Sequence, residues 1–275
     1  MYFLNSVIGW FFDLILLPFE KMNPWLGMTV VSLLTAFLML FVFKLTSNQA
    51  AVRKAKDAIK AHLLEIRLFK DSPGIILAAE RDVMKANFRY IAANTKPLLF
   101  MIIPLVLILA QLNIRFGSDA LQPGEETLVK IKLKEGQDPV RLDPSLIPPT
   151  GFSLTAPPVR IPDEREAVWR IRATEKGVHV LRFKVGGLEI AKSAAVGTPP
   201  IAALPARAVS GKFLDLLLYP GEKPLPGASP VESIQVSYRP KRLGFFGLRM
   251  HWLIAYFVLS LAFGFAFKGV FKVEI

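Results

Sequence analysis

The chain has no cysteine among its 275 residues. This absence excludes disulfides, thiolate zinc sites, iron–sulfur clusters and cysteine nucleophiles. Any part of the chain that lies outside the cytosol must therefore be held together by its own hydrophobic core, without covalent cross-links.

Histidine is scarce too, and the usual catalytic motifs are missing. The three histidines, His62, His179 and His251, fall in segments of different character, so we do not expect them to converge on a metal ion. The sequence has no phosphate-binding glycine loop and no nucleophile motif. The apolar runs carry no acid that would mark an ion path. We expect neither an enzyme nor a bound metal or cofactor, and a channel is an alternative for which no residue marks a conduction path.

Long apolar runs are what the chain does contain. Hydrophobic residues make up 52% of it and the mean hydropathy is +0.41. A bilayer core of about 30 Å takes about 20 apolar residues in a helix. The sequence predicts three transmembrane helices, at residues 25–45, 97–114 and 249–271.

The distribution of charge predicts how these spans are oriented. Residues 44–96 carry eleven Lys or Arg against five Asp or Glu, and this short loop adjoins two spans. The positive-inside rule places such a loop in the cytosol. We expect a multi-pass protein of the cell (inner) membrane, with residues 46–96 and the tail 272–275 cytosolic and the N-terminus and residues 115–248 outside. The basic residues near 239–249 lie on the outer side, where long loops translocate largely regardless of charge. The formal charge of +12 is thus explained without DNA.

Residues 1–24 have an amphipathic pattern. Ser6, Gly9, Asp13 and Glu20 fall near one helical face, and apolar residues crowd the rest. This predicts a helix that lies in the outer membrane interface. The alternative is a fourth span, which would move the N-terminus inside.

The segment 46–96 predicts an antiparallel coiled-coil hairpin. Apolar residues recur at spacings of three and four on both sides of a turn at Asp71-Ser72-Pro73-Gly74. The predicted seam consists of Val52, Ile59, Ile66, Ile76, Val83 and Tyr90. The basic excess of this arm sets the topology, or it attracts anionic lipids or weakly contacts the ribosome.

Residues 115–248 predict an all-β domain. Short stretches such as Val129–Lys134 alternate apolar and charged side chains, and glycine and proline turns separate them. Gly177-x-His179-x-Leu181 is similar to the tyrosine corner of immunoglobulin-like domains, with His in place of Tyr and Leu in place of Cys. We therefore expect an immunoglobulin-like β-sandwich. Residues 198–230 form a proline-rich segment, in which the apolar run 213–219 is a strand or a docking segment.

The order of these parts resembles the YidC/Oxa/Get membrane-insertase superfamily. An outer interfacial helix, a first span, a basic cytosolic hairpin, a second span and a third span occur in that order. The resemblance is carried by Phe11–Phe43, by Arg81–Lys85 and by Thr95–Asn113. Within the superfamily the chain looks most like the reduced three-span branch, which includes archaeal YidC-like proteins and the core subunit of the ER membrane complex.

The resemblance implies a polar groove, open to the cytosol and to lipid, that eases hydrophilic segments across the bilayer. The candidates for its lining are Thr29, Ser32, Thr35, Lys44, Gln111 and Asn113. The arginine that bacterial members carry in the first span has no counterpart in this first span.

We therefore expect an insertase-like or chaperone-like protein that assists membrane-protein insertion or complex assembly. The alternative is a structural subunit of a larger membrane complex that has the fold but no insertase activity. Its partners would be membrane lipids and other membrane proteins, as clients or as fixed subunits.

Overall fold

The computed structural model describes residues 2–199, 201–210, 213–245 and 248–273. Its helices are α1 (Tyr2–Leu16), α2 (Pro24–Thr46), α3 (Gln49–Leu68), α4 (Pro73–Phe116), α5 (Pro139–Leu142), α6 (Phe213–Leu218) and α7 (Trp252–Phe271), with a 3₁₀ turn at Leu17–Phe19.

The strands lie between α4 and α7. They are β1 (Ser118–Asp119), β2 (Glu126–Leu133), β3 (Ser145–Ile147), β4 (Phe152–Leu154), β5 (Val159–Ile161), β6 (Glu166–Ala173), β7 (Gly177–Val185), β8 (Leu188–Val196), β9 (Arg207–Val209), β10 (Val231–Val236), β11 (Arg239–Pro240), β12 (Arg242–Phe245) and β13 (Leu248–His251).

The chain divides into two compact units. The β-rich unit comprises Met1–Met28 and Val106–Ile254, and the helical unit comprises Thr29–Leu105 and Ala255–Ile275. Each unit contains parts of the three longest apolar helices.

Three helices, α2, α4 and α7, are long and apolar enough to cross a membrane. The predicted combination of three apolar spans and a separate β-rich region is therefore confirmed. Helix α4 continues without a break from the predicted hairpin into the predicted second span, through Pro97 and Pro104. Each proline removes one backbone donor, which membrane helices tolerate when neighbouring groups satisfy the freed carbonyl.

The segment between the first two spans forms two helices, as predicted. The side chain of Asn48 caps α3 by accepting a hydrogen bond from the amide of Ala51 at 3.0 Å. Pro73 opens α4, a position where its missing N–H costs nothing. Of the predicted seam, Val52 is fully buried and the other five residues are half-buried.

Two antiparallel sheets form most of the β-rich unit. The larger sheet has the strand order β4-β6-β2-β10-β9, with β5 also pairing with β6. The smaller sheet has the order β3-β7-β8. Its β7–β8 hairpin turns at Gly186-Gly187, where both residues have positive φ (56° and 81°), as a type I′ turn requires.

The two sheets contribute to one hydrophobic core. Alternate residues of β2 and β6 are buried together with alternate residues of β7. The rings of Trp169 on β6 and Phe183 on β7 lie 5.5 Å apart, so side chains of the two sheets meet directly. A fully buried side chain of this size stabilises the fold by about 1.5–3 kcal/mol.

Residues Phe213–Leu218 form the short helix α6. The strand alternative for this apolar run is therefore wrong. The stretch is rich in leucine and has no β-branched residue, so its local preference favours a helix.

A buried ion pair holds β8 to the loop that follows α6. The Lys192 ammonium is fully buried, lies 3.0 Å from a carboxylate oxygen of Glu222, and donates to the carbonyls of Ser193 (2.8 Å) and Pro205 (2.5 Å). Burial lowers the pKa of Lys192, and the Glu222 carboxylate opposes this shift. Removing one partner of such a pair leaves an uncompensated buried charge.

We expect Glu222→Gln to lower the free energy of unfolding by about 3–5 kcal/mol, because Lys192 would lose its counter-charge. Denaturant unfolding of the detergent-solubilised protein measures this. The control is Glu189→Gln, which removes the acid of the exposed pair with Arg182 and should change stability by no more than about 0.5 kcal/mol. Equal losses in both variants would contradict the assignment.

The buried hydroxyl of Tyr238 should make the protein less stable at alkaline pH. Burial raises the pKa of Tyr238 to about 12, from an ordinary value of 10.0. The folded protein therefore keeps this proton when the unfolded chain has lost it, so the stabilisation is complete below pH 10 and disappears between pH 10 and 12. The shift corresponds to about 2–3 kcal/mol. Tyr238→Phe should remove this pH-dependent stabilisation. The unfolding free energy of the wild type minus that of the variant should therefore stay constant from pH 7 to 9 and decrease between pH 10 and 12. A flat difference throughout would refute the claim.

Candidate functional site

The groove candidates on α2 face the interior of the helical unit. Ser32 and Thr35 are buried and Thr29 is half-buried, whereas Lys44, near the end of the same helix, is exposed. The spacing of three residues explains why the three hydroxyls share one side of α2.

Helix α7 adds two hydroxyls to this place. The Tyr256 hydroxyl neighbours those of Thr35 and Ser260. Tyr256 and Ser260 have no partner besides these hydroxyls among the described residues, and the Ser32 hydroxyl has no partner there. Thr35 donates to the carbonyl of Val31 at 2.8 Å. We call Ser32, Thr35, Tyr256 and Ser260 the hydroxyl cluster.

Aromatic packing fixes α7 against α2 beyond the hydroxyl cluster. The Phe37 ring lies 5.0 Å from that of Phe267, edge to face, and 5.7 Å from that of Phe271. Leu40 and Phe43 are buried in the same contact region. Such contacts hold the two helices in place without help from the hydroxyls.

The hydroxyl cluster has a specific chemical capacity. Each hydroxyl can donate one hydrogen bond and accept two. A buried hydroxyl without a partner is unfavourable by about 1–3 kcal/mol. The Ser32 hydroxyl is in this state, and the Tyr256 hydroxyl has only the hydroxyls of Thr35 and Ser260 beside it, so the cluster keeps hydrogen-bonding capacity for a polar group that enters the apolar interior.

A second polar site lies at the end of α4 in the β-rich unit, around Arg115. The Arg115 side chain is 2% exposed. Its Nε and Nη2 donate to Asp13, Nη2 also donates to the carbonyl of Gly9 at 3.1 Å, and Nη1 donates to the carbonyl and side-chain oxygens of Gln111 at 3.1 and 2.6 Å. All five N–H donors of the guanidinium therefore have partners.

The same network fastens helix α1. Gln111 is buried and its amide nitrogen donates to the carbonyl of Asn5 at 3.3 Å. The Asn5 side chain in turn donates to the carbonyl of Leu216 on α6. A cleft of about 240 Å³ lies between these parts, lined by Asp13, Arg115, Leu216 of α6 and Glu222. Because its charges are already paired, the Arg115 site acts as a structural link between helices.

The groove candidates thus fall into different surroundings. Gln111 belongs to the Arg115 network in the β-rich unit, and Asn113, two residues on, is exposed. Thr29, Ser32 and Thr35 belong to the helical unit. Their role as groove residues stays a prediction.

The sequence prediction named Gln111 and Asp13 in other roles and missed Arg115, which brings them together. The signal was present in two spacings. Asn5, Gly9 and Asp13 repeat every four residues on one face of α1, and Gln111 and Arg115 have the same spacing on α4. When polar residues recur every four positions on two helices, and one face carries an acid and the other a base, the two helices are expected to pack through those faces.

The described residues contain no group of three or more His, Asp or Glu that could hold a metal ion.

We expect Arg115→Gln to loosen α1. A glutamine has too few donors to bond Asp13 and Gly9 together, and each hydrogen bond to a charged group contributes about 1.5–3 kcal/mol. Amides of residues 5–16 should therefore exchange with deuterium at least about tenfold faster, as measured by mass spectrometry. Arg172→Gln, which removes an exposed pair with Glu126, is the control and should leave α1 unchanged. Unchanged exchange in both variants would rule out the link.

Comparisons with family models, with curated proteins and with solved structures give no match to this chain. The resemblance to the insertase superfamily therefore stays a prediction. Any function proposed for the chain rests on its own residues and their geometry.

Proposed function

We propose that this protein assists the insertion or assembly of other membrane proteins. The hydroxyl cluster is the single observation that carries the proposal. Ser32 lacks a hydrogen-bond partner among the described residues, and Tyr256 has only the hydroxyls of Thr35 and Ser260 beside it, in helices apolar enough to lie within a membrane. Burying these hydroxyls is unfavourable for the fold by itself. Their presence is explained when they form hydrogen bonds with a polar group of a client that passes through the membrane.

The energetic benefit to a client follows from the bilayer. An ionisable side chain at the bilayer centre is unfavourable by at least about 2.5–3.5 kcal/mol. A single hydrogen bond contributes about 0.5–1.5 kcal/mol net. Several hydroxyls that offer bonds together can therefore offset a substantial part of the barrier to a hydrophilic segment.

The basic arm gives the proposal a cytosolic contact site. We propose that α3 and the first part of α4 pack as an antiparallel coiled coil, with the arm in the cytosol as its excess of Lys and Arg indicates. Alanines at the seam, Ala55, Ala79 and Ala86, are buried, as the small seam residues of such a coil are.

The outer domain belongs to the same proposal. We assign it an immunoglobulin-like sandwich, supported by the contacts of His179. Its Nε2 lies 3.0 Å from the carbonyl oxygen of Glu175, four residues upstream, as the tyrosine hydroxyl of a tyrosine corner bonds a nearby backbone group. Leu181, at the position of the cysteine, is buried in the core.

A second function, that of a fixed subunit in a larger complex, is favoured by a different observation. Apolar side chains on the arm are more than half exposed although the arm is otherwise charged. They include Leu64, Leu68, Leu77 and Phe88. Exposed apolar side chains of this kind suit a stable partner.

Photocrosslinking separates the two functions. A photoreactive residue is placed singly at Ser32, at Thr35 and at Tyr256 in living cells, and the adducts are identified by mass spectrometry. Leu38 and Phe41, exposed on the same helix α2, are the matched control positions. Many nascent membrane proteins at the cluster but not at the controls support client handling. One stoichiometric adduct supports the fixed subunit and overturns our proposal.

The double variant Tyr256→Phe with Ser260→Ala tests whether these two hydroxyls contribute to the insertion of a client. Removing these two hydroxyls should change stability by no more than about 1 kcal/mol, because the side-chain groups beside Tyr256 are other hydroxyls. The insertion of a client with a hydrophilic segment should nevertheless decrease. The control client has a purely apolar span and should be unaffected. Full activity toward both clients would remove the hydroxyl cluster from the mechanism.

A further inference from the structure

The hairpin of β12 and β13 separates its residues into two chemical faces. Arg242 pairs with His251 and Gly244 pairs with Arg249, so these four residues share one face of the hairpin. Leu243 and Met250 form another cross-strand pair, which lies on the opposite face, and Leu243 is buried. The first face is exposed at all four positions.

The basic face has an open corner. Residues directly opposite each other in such a pair have Cβ atoms about 4.5–5.5 Å apart. Arg242, Arg249 and His251 thus occupy three corners of a small rectangle, and Gly244 occupies the fourth. A Cβ atom on Gly244 would meet nothing within 4 Å. The missing side chain therefore leaves room for a ligand beside three nitrogen-bearing side chains.

The ends of two membrane helices hold this hairpin. The indole of Trp25, in the first turn of α2, donates to the carbonyl of Gly244 at 2.6 Å. His251 directly precedes α7, and its Nδ1 accepts a hydrogen bond from the amide of Leu253 at 3.3 Å. Since α2 and α7 are apolar enough to span a membrane, the hairpin is placed at the level where lipid headgroups lie.

The charges of the basic face are available. Arg242 and Arg249 have no acidic partner among the described residues. Two neighbouring bases are already paired, Arg239 with Glu125 at 2.6 Å and Lys241 with Asp119 at 3.6 Å. With its Nδ1 engaged as an acceptor, the neutral His251 ring carries its proton on Nε2, which can donate outward. The face therefore offers two guanidinium groups and one further donor to an anion.

We propose that the β12–β13 hairpin binds the headgroup of an anionic phospholipid. The phosphate accepts hydrogen bonds from Arg242 and Arg249, and the headgroup occupies the open corner at Gly244. Guanidinium groups suit this ligand because their donors match the geometry of phosphate oxygens. The site also accounts for basic residues on the side of the membrane where the positive-inside rule does not place them.

The test uses the full-length protein in nanodiscs with equal amounts of phosphatidylglycerol and phosphatidylcholine, and native mass spectrometry counts the retained lipids. Wild type should retain phosphatidylglycerol preferentially. Arg242→Gln with Arg249→Gln should weaken that preference roughly thirtyfold, about a factor of five for each guanidinium. Gly244→Val keeps every charge, suits a strand and fills the corner, so it should also lose most of the preference.

The control is Arg170→Gln with Lys184→Gln, which removes the same charge from exposed positions on β6 and β7. This control variant should retain the wild-type preference for phosphatidylglycerol. If it lost as much of that preference as the double variant of Arg242 and Arg249, the preference would reflect net charge alone and the proposed site would be wrong. Equal retention of both lipids by wild type overturns it as well. If Gly244→Val retained the wild-type lipid preference, the arginines would attract the lipid without a pocket at Gly244, which would also contradict the proposal. Bound phosphatidylglycerol should resist an excess of inorganic phosphate, because acyl chains hold it in the bilayer. Displacement would identify free phosphate as the ligand.

Discussion

The β-rich unit depends on the complete hydrogen bonding of one buried guanidinium. Arg115 lies at the end of α4, a helix apolar enough to cross a membrane, and a buried charge there is tolerated only when all its donors have acceptors. Asp13, Gly9 and Gln111 supply those acceptors. Because two of the three belong to α1, satisfying the arginine also determines where α1 lies. Asn5 then extends the same network to α6.

The two kinds of buried polar site in this protein differ in how they are satisfied, and this difference separates structure from function. Arg115 and Lys192 have charged partners and backbone acceptors, so their burial stabilises particular helix and strand contacts. The hydroxyls of Ser32, Tyr256 and Ser260 have no such partners among the described residues. These hydroxyls therefore keep hydrogen-bonding capacity that charged groups and the backbone do not take up.

Tryptophans lie at the starts of two helices that are apolar enough to cross a membrane. Trp25 and Trp252 begin α2 and α7, the interfacial position that tryptophan favours. Trp25 holds the β12–β13 hairpin by its indole, so an anchoring residue also positions Arg242 and Arg249. The contact between α2 and the β12–β13 hairpin and the placement of its two arginines thus depend on the same residue.

The sequence alone determined the features that depend on local period and composition. These are the three apolar spans, the two arm helices, and strands such as β2 and β7, because each follows from hydrophobic spacing within one segment. Short strands such as β9, and the helix α6, escaped prediction, because a few residues carry too little pattern. Tertiary structure decided which polar residues meet. Arg115 lies 102 residues from Asp13, and Tyr256 lies far along the chain from Thr35. No local period encodes such distant pairs, since they form only when packed helices and sheets bring them together.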